Sequence, residues 1–314
     1  MSSETSSLSV RTGSHVSTYS EWIASLIGYG ERFRDVLFYS SAYLVVIAMA
    51  EVATVMFALS LGPSPAPIVG GLVTFAVYVG DRIADVETDE LSTPEKSAFV
   101  RRHKTLLSVL SAAAYGVAIA LSILGGPVAL AITLTPGAVW ILYGSDWLPT
   151  ASAYLRRLKD VLVVNSAVVA LAWAVSLVFL PLAYADAAFT PTAAVVFTYF
   201  FLDTFVNTEI PNVRDRESDA EIGVSTLPVV FGVRRTRHIL YGLELFLVAV
   251  LALAAVVGLV SVALSAGVLV GLGYALALTA LVGRTDDYAR LSVLGEAKSL
   301  LVLAVALAFP LLGL

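Results

Sequence analysis

The chain has 314 residues, 58% hydrophobic and 14% charged, with a net charge of −5 and a mean hydropathy of +0.88. Soluble domains carry about 25% charged residues, so this composition excludes an ordinary soluble fold and points to a membrane protein. The lack of cysteine excludes disulfide and thiolate–metal frameworks, and no basic patch interleaved with aromatics marks a nucleic-acid partner.

Residues 1–16 are rich in Ser and Thr, lack the apolar core of a secretory signal, and read as a disordered tail. Residues 17–35 carry Trp22, Ile23, Leu26, Ile27 and Phe33 near helical spacing, with Glu21, Glu31, Arg32 and Arg34 between them. They read as an interfacial helix or a linker. The remainder, 36–314, is an all-α transmembrane domain. Helices of ~20 apolar residues span a bilayer, and nine stretches are expected near 37–60, 66–84, 105–124, 127–145, 161–182, 192–210, 238–260, 264–283 and 296–313. They form one bundle around a central cavity open to the cytoplasm and the membrane.

The basic residues support that count. All nineteen fall before the first expected span or in alternate connections, with Arg284, Arg290 and Lys298 assigned to the connection between spans eight and nine. The positive-inside rule then puts the N-terminus in the cytoplasm and the C-terminus outside, in a multi-pass cell-membrane protein.

Two acidic segments share the form D-x-E-[ST]-D: Asp85-Val86-Glu87-Thr88-Asp89 and Asp215-Arg216-Glu217-Ser218-Asp219. Each follows a long apolar run on the expected cytoplasmic side. Carboxylates so close to hydrocarbon are costly unless paired. Asp81, Asp85 and Asp89 recur every four residues, as do Asp215 and Asp219, with Asn212 one turn earlier. Residues four apart share a helix face. Such hard oxygen ligands suit Mg²⁺, which also binds substrate phosphates. Arg82, Lys159, Arg214 and Arg216 are placed to take the remaining phosphate charge.

A lipid diphosphate meets this description. Metal ions would neutralise the diphosphate as its C–O bond breaks, and an allylic tail would delocalise the cation. Apolar and aromatic walls would exclude water, with Tyr78, Trp140, Tyr143, Trp173, Tyr199 and Phe205 as candidates. Asn165 and Glu209 are further cavity candidates, and Glu209, one turn before the second motif, is also placed to support it.

On these residues the sequence resembles the UbiA superfamily of intramembrane prenyltransferases, of the 4-hydroxybenzoate or naphthoate type, over roughly residues 36–314. Asp81-x3-Asp85-x3-Asp89 and Asp215-x3-Asp219 match its two Asp-rich motifs. The stretch from Asn212 to Gly232, with Gly223-Val-Ser-Thr226-Leu-Pro228, is similar to its second motif and the tail that follows. Arg157-Leu-Lys159-Asp160 resembles its basic segment near the diphosphate. Departures are Asp81, where the family usually has Asn; Arg82, often Asp there; and Asn212, often a leading Asp. The resemblance implies nine helices, a Mg²⁺-dependent site, an isoprenyl diphosphate donor, a lipophilic acceptor and the bilayer as surroundings. The aspartates would be catalytic. No obligate protein partner is evident.

The rival class is an ion-coupled transporter that binds cations through its acidic clusters. Glu51, Asp203, Glu209 and Glu244 lie in or near the expected spans, where acids are functional candidates. The Asp motifs lie at helix ends, whereas transporters break helices at the bilayer midplane. The Asp-Gly-x-x-Ala-Arg segment of CDP-alcohol phosphotransferases is missing.

Overall fold

The computed structural model describes residue 34 and residues 36–84, 86–87, 93–144, 163–221 and 223–312; the side chains of 139–144 and of Asn165 also lie outside the description. The expected tail and interfacial segment therefore fall almost wholly outside the described residues.

The described chain is helical throughout: α1 (Tyr43–Ala58), α2 (Ala66–Ala84), α3 (Pro94–Arg102), α4 (Lys104–Ser122), α5 (Gly126–Gly144), α6 (Val164–Tyr184), α7 (Pro191–Arg214), α8 (Arg216–Glu221), α9 (Leu227–Val256), α10 (Val262–Leu281) and α11 (Tyr288–Ala308). In hydrocarbon a backbone must satisfy its own polar groups, and helices do so within one segment. Capping residues fix several starts. Thr190, Ser261 and Asp287 accept hydrogen bonds from the amides of Ala193, Leu264 and Arg290 at 3.2, 3.2 and 3.0 Å. Pro191 and Pro228 occupy first-turn positions, where a missing amide hydrogen costs nothing.

Among the described residues, seven helical stretches are long and apolar enough to cross a membrane. That differs from the expected nine for two reasons. The expected first span is the shorter α1, with 16 residues, or about 24 Å of helix. The third and fourth fall in one apolar stretch, Lys104–Ala138, which the backbone divides at a 3₁₀ turn over Ile123–Gly125. The molecule is thus an all-α, multi-pass membrane bundle.

Neighbours in sequence pack as neighbours in space, α1 on α2, α2 on α4, α6 on α7 and α10 on α11, and α11 returns against α1 to close the bundle. Apolar side chains gain little by leaving lipid for protein, so close backbone approach carries much of the packing. A Cβ on Gly267 would stand 2.6 Å from the Val302 carbonyl oxygen across the α10–α11 contact. The helices that matter most for the site are α1 and α6. Each packs on both α2 and α7, the helices that end in the two acidic motifs.

Two assignments of charge change. Lys298 is not in a connection: it lies inside α11, 1% exposed, and pairs with Asp203. Arg234, Arg235 and Arg237 lie within α9, which begins eleven residues before the expected span at 238; Arg237 donates to the Val282 carbonyl at 3.0 Å.

Candidate functional site

The second motif is built at the end of α7. Asp215 caps that helix, its amide donating to the Pro211 carbonyl at 2.9 Å. A helix C-terminus carries the negative end of the macrodipole, so a carboxylate here calls for a cation. Arg214 supplies one, with Nε and Nη2 each 2.7 Å from an Asp215 carboxylate oxygen. The chain then turns into α8, where the Asp219 amide donates to the Asp215 carbonyl at 2.8 Å. Burial first, and then the charge of Asp215, raises the Asp219 carboxyl above its ordinary value, while Arg214 pulls the other way. The two carboxylates therefore feel each other as like charges. Arg216 pairs instead with Glu217, at 3.4 Å.

The tail after the motif has a structural reason. Gly223 adopts φ +80° and ends α8, with the Val224 amide reaching back to the Asp219 carbonyl at 2.8 Å. Thr226 precedes α9, and Leu227, 3% exposed, packs with Ala170 of α6 and Phe205 of α7. Gly232 then breaks the helix at φ 75°, ψ 157°. An open cavity of about 460 Å³ lies here, lined by Arg216, Glu217, Ala220, Glu221, Pro228, Val229 and Gly232.

One turn deeper, Asn212 Nδ2 donates to Ser166 Oγ at 3.2 Å, and Ser166 Oγ donates to Glu209 Oε1 at 2.6 Å. Glu209 is 1% exposed. This chain ties α7 to α6 directly beneath the motif. Glu209 thus braces the motif's helix, and Asn212 turns its amide nitrogen to Ser166. Sequence gives no handle on Ser166, since a lone Ser in an apolar run carries no signal.

At the first motif, Asp81 and Arg82 lie in the last turn of α2, Asp81 exposed and Arg82 half-buried. Both are within electrostatic reach of Tyr78, one turn deeper on the same helix. Tyr78 meets Trp173 of α6 edge-on, with ring centroids 6.4 Å apart. Tyr199 and Phe205 are buried among packed side chains of the core. Asp85, Asp89 and Lys159 lie outside the described residues, as do the side chains of Trp140, Tyr143 and Asn165. Among the described residues no three His, Asp or Glu side chains gather into a metal-sized group. The pair that is described, Asp215 with Asp219, fits a divalent cation by donor chemistry: hard oxygens, mutual repulsion and the negative end of a helix.

The intramembrane acids form a separate cluster. Lys298 pairs with Asp203 and reaches Asn207 at 3.5 Å. Glu51 accepts hydrogen bonds from Trp173 Nε1 at 2.8 Å and Ser299 Oγ at 2.7 Å. Glu244 accepts from Thr279 at 2.7 Å.

Known structures share this fold at low identity. A digeranylgeranylglyceryl phosphate synthase superposes with a TM-score of 0.57 at 14% identity, over 88% of this chain and 98% of its own. A UbiA homologue from Archaeoglobus fulgidus bound to DMAPP and Mg²⁺ gives 0.56 at 15% identity, over 86% of this chain and 99% of its own. The same homologue bound to GPP and Mg²⁺ gives 0.54 at 15% identity over the same shares, 86% and 99%. No curated protein matches the sequence. The profile of the UbiA prenyltransferase family matches residues 41–295, a range that holds both acidic motifs and every spanning helix except the last part of α11, and the chain belongs to that family.

Proposed function

We propose that this protein is a Mg²⁺-dependent intramembrane prenyltransferase that moves an isoprenyl group from an allylic diphosphate to a lipophilic acceptor. The observation that carries the reading is the Asp215–Asp219 pair with Arg214 at the C-terminal end of α7, inside the family-matched range. The structures of the Archaeoglobus fulgidus homologue with DMAPP or GPP and Mg²⁺ support it.

Asp81, Asp85, Asp89, Asp215, Asp219 and Asn212 would hold the metal. When bound, Mg²⁺ neutralises the diphosphate as the allylic C–O bond breaks. Arg82, Lys159, Arg214 and Arg216 would bind the phosphate oxygens, and Arg214 would divide its guanidinium between Asp215 and the donor. Tyr78 and Trp173, which meet edge-on, would wall the site, stabilising a delocalised cation and keeping water away. The bundle would have nine crossings around a cavity opening to the cytoplasm and the membrane, with the N-terminus cytoplasmic, the C-terminus outside and both motifs on the cytoplasmic side. A quinone precursor or another aromatic molecule is one acceptor class consistent with the second motif's resemblance.

The test is Mg²⁺-dependent release of diphosphate from geranyl diphosphate by the purified protein. Asp215→Ala and Asp85→Ala are expected to abolish release and transfer while the protein still inserts into the membrane. Retained turnover in both variants overturns the site. Cation flux in proteoliposomes without diphosphate chemistry would favour the transporter instead.

A further inference from the structure

Three polar side chains line up beneath the second motif: Asn212 and Glu209 of α7 and Ser166 of α6. Ser166 and Glu209 are 5% and 1% exposed, and Asn212 is half-buried. Ser166 stands in the first turn of α6, a helix of 21 residues. A helix N-terminus is the positive end of the macrodipole and favours a carboxyl group beside it, which gives Glu209 a reason to point there. Ser166 meets Glu209 at Oε1, while Oε2 has no hydrogen-bond partner among the described residues.

The chain has a direction. A carboxylate only accepts hydrogen bonds, and a neutral acid with its proton on Oε2 still accepts at Oε1. Ser166 therefore directs its one hydroxyl hydrogen at Glu209 Oε1, 2.6 Å away. Toward Asn212 the same oxygen can only accept. The arm of Asn212 that faces it, at 3.2 Å, is accordingly the NH₂. Asn212 also acts on Glu209 as a donor, which again needs the nitrogen turned inward. The amide is planar, so an inward nitrogen turns Oδ1 the other way. Among the described residues no hydrogen bond is made to Oδ1.

Asn212 precedes Asp215 by three residues and shares its side of α7. Asp219 lies near enough for its charge to act on Glu209. The group under Asn212 is thus within reach of the far aspartate, and Asn212 itself stands beside the near one. Its outward oxygen adds a third hard donor to the two carboxylates that repel each other there.

We propose that Ser166 and Glu209 are positioning residues for a divalent cation at the second motif: they hold the Asn212 amide with its oxygen on the side of the aspartates and its nitrogen away. Neither residue touches the cation. With the amide reversed, an N–H dipole would replace a ligand oxygen and oppose the positive charge. The proposal rests on the prenyl-transfer reading only for the presence of that cation.

The test is Mn²⁺ binding, with Mn²⁺ in place of Mg²⁺, to the full chain in nanodiscs, followed by electron paramagnetic resonance without donor or acceptor. Ser166→Ala should weaken Mn²⁺ binding by about 10–100-fold, whereas Ser166→Thr, which keeps the hydroxyl, should stay within about threefold of wild type. Asn212→Ala should lose a similar factor, and adding Ser166→Ala to it should change little more, because both act through one oxygen. A merely structural role would lower the melting temperature and give losses that multiply in the double variant. If Ser166→Ala does not fold, Glu209→Leu takes its place in the same cycle. Mn²⁺ affinity of the single variant close to wild type, or multiplying losses, overturns the proposal. Wild type that binds no Mn²⁺ overturns it too. The expected pattern without diphosphate release from geranyl diphosphate sinks the prenyl-transfer reading and leaves this proposal standing.

Discussion

Lys298 and Asp203 stand 95 residues apart in the chain and meet inside the bundle. A lysine at the start of an apolar run looks, in sequence, like one more charge on a cytoplasmic connection, yet Lys298 stands midway along α11. Nothing local separates the two, because the partner that lets Lys298 stay buried lies on α7. The same holds for Tyr43, whose hydroxyl donates to Glu296 at 2.6 Å across 253 residues. The pair has a measurable energetic signature. Lys298→Met strands the Asp203 carboxylate and should cost about 3–5 kcal/mol in reversible unfolding from mixed micelles. Adding Asp203→Leu should recover most of that loss, since neither charge is then buried alone. If the double variant is as unstable as the single one, the pair is not the source of the loss.

At the scale of elements, the second motif was the most legible part, because its signals are local. Gly223, Thr226, Leu227 and Pro228 each do a job within a few residues: end α8, precede α9, anchor its first turn on α6 and α7, and start the helix. The first motif was legible as spacing only, and Asp85 and Asp89 fall outside the described residues. The Glu209–Ser166–Asn212 chain was half legible, since Glu209 stands out in an apolar run and Ser166 does not. Gly232 is the element-scale position with the sharpest consequence. Its φ of 75° with ψ 157° is a conformation reserved almost wholly for glycine. Gly232→Ala should cost about 1–3 kcal/mol of stability and weaken donor affinity, because the break sets where the start of α9 meets α8. Gly242→Ala is the control: a Cβ there meets nothing within 4 Å, and the exchange should stabilise slightly, by about 0.4–1 kcal/mol. Equal melting temperatures for the two variants would remove Gly232 from this role.

The whole molecule turns on how many times the chain crosses the bilayer. Counting by length and apolarity gives seven stretches among the described residues; counting turns gives nine crossings, if α1 spans and the Lys104–Ala138 stretch doubles back at Ile123–Gly125. The two counts place particular residues differently. With nine crossings, Ser64, Leu124, Asp186 and Ser261 face outside, and Glu95, Ser218 and Thr285 face the cytoplasm. With α1 lying on the surface, Ser64 still lies opposite Glu95, because α2 crosses between them, and only the side of the N-terminus changes; with Lys104–Ala138 unbroken, Leu124 sits in hydrocarbon and every position after it changes side. The absence of native cysteine makes the test clean. Each position is changed singly to Cys, and intact cells are treated with a membrane-impermeant maleimide. Ser64→Cys, Leu124→Cys, Asp186→Cys and Ser261→Cys should label at once; Glu95→Cys, Ser218→Cys and Thr285→Cys should label only after permeabilisation. The inverse pattern would reverse the orientation that the basic residues imply. It would also move both aspartate motifs to the outer face, where a cytoplasmic diphosphate donor does not reach them.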